Sequence, residues 1–378
     1  MRVRPQLKPI SVIRRPSEVI LVGRALEATY LTDDDGGITA LLRVLAQGRH
    51  TVAELPAAMA ECGFEVTEAE VAEAVRALDE VGVLLRADSD ADLDPATLRR
   101  HESNLRFYDL FADLGRTSAD YHRAMAGADV LLLGAGGMGS GVLQSLIGLG
   151  VGRVRLVDVD TVEEKNLARQ FAYGRDDVGR TKVDAARDWA ARYSPGTTAV
   201  EAIHERVTDV ESIRRLGAGA SLVVCAIDSP DGVHLLVNEA CFDLGVPFVT
   251  GGLQYSTMFH WSVEPGVSPC RLCLELNRRD EGETMPELTD RAVVLPAGRV
   301  NRATGPIAQL LAGFVTLEVA RYLTRTDPPV AAGVYHTIEL ADGMRTTTSP
   351  WKRHPNCPLC ARATAGRSPD ASALTAVA

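Results

Sequence analysis

The chain has 378 residues, 46% of them hydrophobic and 24% charged, with a formal net charge of −10. That is enough apolar mass for two or three domains with a sizeable core. It is too acidic for bulk nucleic-acid binding, which needs basic surface to displace counterions. No apolar run approaches the length of a membrane span, and Met1-Arg-Val-Arg-Pro5 lacks the apolar core of a signal peptide. A cytoplasmic protein with no membrane partner is expected.

Residues 1–95 open with three β-like runs, Lys8–Ile13, Glu18–Val22 and Leu26–Leu31. Ile38–Leu45 carries apolar residues at helical spacing and ends before Gly48. A second helix is predicted from Val52, with Thr51 as its N-cap, to Ala60. A third starts at Thr67, where Glu70 completes a capping-box pattern, and runs through Leu78. The short strand Gly82–Leu85 leads into acidic Asp88–Asp94, whose like charges and low hydrophobicity read as a linker. Three strands followed by three helices make a winged-helix-like α+β module. Its ten Lys/Arg against seventeen Asp/Glu, with no basic helix face, argue against DNA binding. The arrangement resembles the PqqD-like leader-peptide recognition domain of ribosomal-peptide modification systems. That resemblance implies capture of a precursor peptide as an added strand on an exposed β-edge, with its side chains against the third helix.

Residues 100–126 look helical, and from Ala128 the pattern becomes βα alternation. Val130–Leu133, Val154–Val157, Leu222–Cys225 and Pro247–Thr250 are continuous apolar runs, as in parallel strands buried on both faces. A doubly wound, Rossmann-like α/β domain is expected over 96–365, with a flexible tail at 366–378. Largely apolar Ala308–Val319 is assigned to its core.

Gly134-Ala-Gly136-Gly137-Met-Gly139 follows a strand and opens a helix. Gly134 allows the tight turn, Gly136 lets backbone approach a phosphate, and Gly139 permits close packing of helix on strand. NAD, FAD and ATP users share this pattern. Asp158 ends the next strand, roughly twenty residues past the glycines, where a carboxylate accepts hydrogen bonds from ribose hydroxyls. Asp160, Asn166, Arg169, Gln170, Lys182 and Asp228 follow. Cations and a carboxylate around a nucleotide suit phosphoryl chemistry better than hydride transfer. Arg169 and Lys182 can clamp a triphosphate, and Asp228 can hold a magnesium ion.

Cys270-Arg-Leu-Cys273 and Cys357-Pro-Leu-Cys360 are paired hooks with the spacing of a tetrahedral thiolate zinc site. With every position filled by protein, such a zinc is structural. Cys62, Cys225 and Cys241 lie in apolar or helical contexts and are expected to be buried, inert thiols.

The glycine loop, Asp-x-Asp with Asn-x-x-Arg-Gln, the downstream Lys and Asp, and the cysteine hooks together resemble the ThiF/MoeB family of ATP-dependent adenylating enzymes. These are bacterial relatives of ubiquitin-activating enzymes, and the resemblance covers about residues 100–365. It implies Gly136 and Gly137 near the nucleotide, Asp158 on ribose, Asn166, Arg169 and Lys182 on phosphates, and Asp228 supporting magnesium. The implied reaction converts a carboxylate and ATP to an acyl-adenylate and pyrophosphate, and a homodimer is expected. Together with the N-terminal module, the chain is similar to microcin-C-type peptide adenylating enzymes.

The chain departs from the family pattern in three places. The crossover segment Glu275–Ile307 holds no cysteine to carry a thioester. Of the family's Arg-x-x-Arg-Gln, Arg106 matches the first arginine, but Asp109 stands where the second should be, leaving Arg106, Arg116 or Arg123 to reach the phosphates. The acidic stretch Asp280–Asp290 reads as a lid or as an ordinary surface loop. A leader-peptide-binding scaffold without catalysis and an activator of a ubiquitin-like sulfur carrier are the alternatives.

Overall fold

The computed structural model describes residues 3–23, 27–281 and 302–365, leaving aside the side chains of 363–365. The first residue of the third predicted strand (Leu26), most of Asp280–Asp290 and of the crossover segment, and the tail 366–378 lie outside the described residues. The chain divides into two compact units, Met1–Ala124 and Met125–Ala378.

In the first unit, β1 (Pro5–Leu7), β2 (Ser11–Arg14), β3 (Glu18–Val22) and β4 (Ala28–Thr32) precede helices α1 (Gly37–Ala46), α2 (Leu55–Glu61) and α3 (Glu68–Glu80), and β5 (Leu84–Arg86) follows. Strands β2–β3–β4 form an antiparallel meander, and β1 pairs with β5. The predicted capping box starts α3: Thr67 Oγ1 accepts the Glu70 N–H at 3.2 Å, and Glu70 Oε2 accepts the Thr67 N–H at 2.8 Å. The α3 stripe Val71, Val75 and Leu78 packs with Leu41, Leu45 and Leu55 and with Val19 and Leu21 of β3. That one-sided burial is what the helical and strand periods of the sequence require.

Asp88–Asp94 is not a connection between compact units. Asp94 caps α4 (Pro95–Arg100) through the Ala96 and Thr97 N–H groups, and Asp90 accepts from the Ser118 hydroxyl at 3.0 Å. Its carboxylates are taken up as local acceptors, so like-charge repulsion does not keep the segment extended. The unit continues through α5 (Glu102–Asp109) and most of α6 (Ser118–Ala126), past the boundary at residue 95 read from the sequence. Cys62 corrects another expectation. It is exposed, because it sits just past the end of α2, before Gly63 turns the chain with φ 87°.

The second unit runs β6 (Asp129–Leu133), α7 (Gly137–Leu149), β7 (Arg153–Asp158), α8 (Lys182–Tyr193), β8 (Ala199–His204), α9 (Val210–Gly217), β9 (Leu222–Cys225), α10 (Val233–Leu244), β10 (Phe248–Gln254), β11 (Thr257–Val263), α11 (Arg271–Asp280), α12 (Gly305–Thr324), β12 (Val334–Glu339), β13 (Arg345–Pro350) and α13 (Pro358–Ala365). One eight-stranded sheet has the order β13-β12-β11-β10-β9-β6-β7-β8. Strands β6–β10 are parallel and β11–β13 antiparallel, so the sheet is mixed rather than the purely parallel one the apolar runs suggested. The antiparallel strands were hidden because one of their faces can stay wet: β13 (Arg-Thr-Thr-Thr-Ser-Pro) is exposed throughout. From β6 the chain moves to β7 on one side and later to β9 on the other. The carboxyl ends of β6 and β9 therefore flank a topological switch point, where open α/β sheets bind ligands.

Helix α12 spans 20 residues and, against the expectation of no such run, is long and apolar enough to cross a membrane by length and composition. It is nonetheless a core helix, as assigned: Ala308, Leu311, Ala312, Val315 and Val319 are buried. Its buried Glu318 accepts from the Ser262 hydroxyl and the Ala331 N–H, both at 2.9 Å, which offsets the cost of burying a carboxylate. A Cβ on Gly141 of α7 would stand 2.7 Å from that of Ala312, so only glycine lets these two helices approach so closely.

Candidate functional site

The turn from β6 into α7 places the four glycines of the fingerprint at different jobs. Gly134 has φ +104°, and a Cβ there would lie 2.6 Å from the Ala226 carbonyl oxygen at the end of β9. A Cβ on Gly139 would lie 2.0 Å from the Gly134 oxygen, so helix and turn are in backbone contact. Gly136 is the N-cap of α7 and has nothing within 4 Å of its Cβ position. The approach to the helix N-terminus is thus open, where unpaired N–H groups and the helix dipole favour an anion. Gly137 lies against the Arg169 stem, with Cδ 3.7 Å from its Cβ position, and against Ala308 at the start of α12.

Carboxylates and cations converge on this turn. Asp158 Oδ2 accepts the Ala135 N–H at 2.7 Å, and Oδ1 accepts the Asp160 N–H at 2.8 Å. A carboxylate has about four acceptor sites, so the Asp158 oxygens retain capacity for a sugar diol. Lys182, at the first position of α8, is buried, and its Nζ lies 2.7 Å from Asp160 Oδ2. Arg169 donates to the Lys165 carbonyl at 3.2 Å, while its Nε and the Gln170 Oε1 are buried without a hydrogen-bond partner among the described residues. Buried polar atoms are seldom left so, and a polar ligand fits the deficit. The Asn166 oxygen closes its own turn by accepting the Glu163 N–H at 2.9 Å. Asp228 lies exposed, two residues beyond the Ala226 carbonyl that meets Gly134.

Arg106 belongs to the first unit. Its guanidinium lies 2.9 Å from Asp109 Oδ2 and 3.6 Å from Asp90, and the hydrogen bond to Asp109 leads in raising its pKa. Two features of the site carry no signal in the sequence. Tyr173 is buried and donates its hydroxyl to the Ala135 carbonyl at 2.8 Å. Gly305 opens α12 where a Cβ would lie 2.7 Å from the Phe171 ring. Alongside, Phe171, Tyr173, Asp176, Arg180, Trp189 and Arg192 line a cavity of about 570 Å³.

The four hook cysteines form the second constellation. All are buried, and their sulfurs lie within 4.8 Å of one another. Cys270 is 3.7 Å from Cys273 and 3.5 Å from Cys357, and Cys273 is 3.5 Å from Cys360. A zinc tetrahedron with Zn–S bonds of about 2.3 Å has edges of about 3.8 Å, so the donor set and its spacing fit zinc. Hydrogen bonds from the Cys270 and Cys360 sulfurs hold the Cys273 thiol well below the usual thiol range. The same contact raises the Cys270 thiol, so the cluster favours one thiolate held by neighbouring thiols, and an ion would displace their protons. Cys270 and Cys273 bracket the start of α11, Cys357 and Cys360 the start of α13, and the Trp351 indole N–H donates to the Cys270 carbonyl at 3.0 Å. Cys225 and Cys241 are buried as expected, and burial pushes the Cys225 thiol up to about 12.

Comparison with known proteins agrees with this geometry. The ThiF family model matches residues 109–359. The chain is 32% identical over 240 residues to the sulfur carrier protein adenylyltransferase of Thermus thermophilus, covering 62% of this chain and 82% of that one. It is 31% identical over 243 residues to the molybdopterin-synthase adenylyltransferase of Salmonella typhimurium, covering 63% and 88%. In fold it is similar to E. coli MccB solved with ATP, with a TM-score of 0.72 over 94% of this chain and 99% of that one at 18% identity. MccB has also been solved with AMPCPP and MccA.

Proposed function

The chain belongs to the ThiF family and is an ATP-dependent adenylating enzyme, and we propose that it adenylates a peptide carboxylate in ribosomal-peptide natural-product biosynthesis. The observation that carries this choice of substrate is the first unit. The two adenylyltransferases match only 62–63% of the chain, and the ThiF family model begins at residue 109, so most of that unit lies outside the family match. Its meander presents an outer strand, β2, exposed along its whole length, with Val12 and Ile13 open to solvent and Tyr30 exposed on β4. Such an edge suits an extended peptide added as a further strand, whose side chains then reach α3 as in a PqqD-like module.

A carboxylate is a poor acyl donor because its leaving group is oxide. In the proposed reaction a carboxylate oxygen of the peptide bonds to the α-phosphorus of ATP, the bond to pyrophosphate breaks, and pyrophosphate leaves. Gly134 and Gly139 shape the turn, Gly136 and Gly137 approach the phosphates, and Asp158 takes the ribose hydroxyls. Lys182, held by Asp160, and Arg169, positioned with Asn166 and Gln170, offset the charge that develops on the phosphates. Asp228 would hold a magnesium ion that neutralises the leaving pyrophosphate. Arg106 would have to exchange its Asp109 partner to reach a phosphate. The exposed Leu310 and Leu317, seven residues apart on α12, offer a face for a second copy of this chain. No cysteine lies between Cys273 and Cys357, so the acyl-adenylate passes directly to a nucleophile without an enzyme thioester.

Activation of a ubiquitin-like sulfur carrier is the second reading, favoured by the names of the relatives above 30% identity. ATP–pyrophosphate exchange separates the two. Exchange should depend on a precursor peptide and fall by at least about a hundredfold in Asp228→Ala. Exchange driven by a sulfur carrier and by no peptide would replace the peptide reading. Peptide binding without ATP binding would leave a scaffold.

A further inference from the structure

We propose that Tyr173 is a positioning residue that locks the glycine loop against a peptide flip and so aims the Gly136 N–H at the nucleotide phosphates. The proposal rests on the nucleotide reading given above and adds a residue to it.

Ala135 is held at both ends by side chains. Its N–H is bound by Asp158 Oδ2 at 2.7 Å, and its carbonyl by the Tyr173 hydroxyl at 2.8 Å. These two bonds fix different peptide planes, the first between Gly134 and Ala135 and the second between Ala135 and Gly136. A trans peptide is planar, with its C=O and N–H pointing in opposite directions. The buried Tyr173 hydroxyl draws the Ala135 carbonyl inward, and the Gly136 N–H must then face outward. The Gly136 Cβ position has nothing within 4 Å, and the N–H has no hydrogen-bond partner among the described residues.

Without the hydroxyl, little would hold that plane. Glycine accepts both signs of φ, so a flanking peptide can rotate at low cost. The rotated plane would turn a carbonyl oxygen toward the phosphates, replacing a donor with a repelling dipole. Tyr173 also stays a donor over the working pH range, because burial, with the Asp158, Asp177 and Asp160 charges, raises its pKa above the ordinary phenol value. Its ring lines the cavity beside Phe171 and Trp189, so Phe can keep the packing while losing the bond.

The test is calorimetric titration of wild type and Tyr173→Phe with ATP, with adenosine as a ligand that lacks phosphates. One hydrogen bond accounts for a loss of roughly three- to tenfold. ATP should bind the variant that much more weakly, while adenosine binds both proteins alike. Equal ATP affinity in the two proteins would overturn the proposal. So would an equal loss for adenosine, which would mark Tyr173 as a general structural prop. A wild type that binds no ATP would overturn the nucleotide reading itself, and this proposal with it.

Discussion

The glycine turn and the cysteine cluster belong to the same compact unit, yet they treat their polar atoms in opposite ways. In the cluster, four buried sulfurs face one another within 4.8 Å and nothing is left open. At the turn, the Gly136 N–H, Arg169 Nε and Gln170 Oε1 have no partner among the described residues, and the Gly136 Cβ position meets open space. A closed donor set suits an ion that arrives at folding and stays. An open one suits a ligand that must come and go, at a standing cost in stability until it binds. Chemistry and staple can thus be told apart by which groups the fold leaves unsatisfied.

Removing the staple should have the largest effect. One zinc per chain is expected by elemental analysis, and Cys273→Ser or metal chelation should cost on the order of 5 kcal/mol. That corresponds to a fall in Tm of about 10–20 °C for a unit of this size. A metal-free protein with an unchanged Tm would break the contrast between the two sites.

Glycine replacements sharpen the other side of it. Gly139→Ala forces a Cβ to within 2.0 Å of the Gly134 oxygen and should cost about 3 kcal/mol or more in urea unfolding. Gly136→Ala meets open space and should cost less than about 1 kcal/mol, with its effect appearing in ATP affinity instead. Equal destabilisation by the two would mean that the approach to Gly136 is closed.

The second unit should also respond to acid. Burial pushes the pKa of His234 and of His260 down to about 4; Arg271 adds to this at His234, and His336, which stacks on His260, adds to it there. The unfolded chain binds these protons near pH 6.5 and the native state only near pH 4. Stability contributed by neutral burial is therefore present above about pH 6.5 and is lost as pH falls toward 4. Between pH 7 and 5 the loss should be on the order of 2 kcal/mol for each histidine. His260→Phe, which keeps the stack on Phe314, should remove about half of that slope in urea unfolding. An unchanged slope would show that the ring is already charged in the native protein. The smallest effect is expected at Arg345→Ala, whose ion pair with Asp342 is more than half exposed on both sides and should contribute under about 0.5 kcal/mol.

Much of this was legible along the chain because the signals are local or repeat at short range. The Thr67–Glu70 capping box, the apolar runs of β6, β7, β9 and β10, and the glycine spacing each state their geometry within a few residues. The two Cys-x-x-Cys hooks announce a four-thiol cluster that fits a metal although 87 positions separate Cys270 from Cys357, because thiol pairs have few other uses at that spacing. The antiparallel strands β12 and β13 were not legible, since a half-wetted strand rich in Thr resembles a loop. The helical context of Cys62 reads as buried, and only its place past the end of α2 shows it outside.

By itself the sequence determined the α/β class, the nucleotide-type glycine turn, the paired thiol donors and the family they point to. Tertiary structure decided which groups are spent and which are free. Asp158 divides its oxygens between two backbone amides, Asp160 captures Lys182, Arg106 is held by Asp109, and Tyr173 reaches back to Ala135. The Arg106–Asp109 pair lies within one turn of α5, but Asp158 to Ala135, Lys182 to Asp160 and Tyr173 to Ala135 join residues that only the fold brings together, and no local pattern encodes them. Whether a polar atom is satisfied depends on the whole set of neighbours that folding supplies.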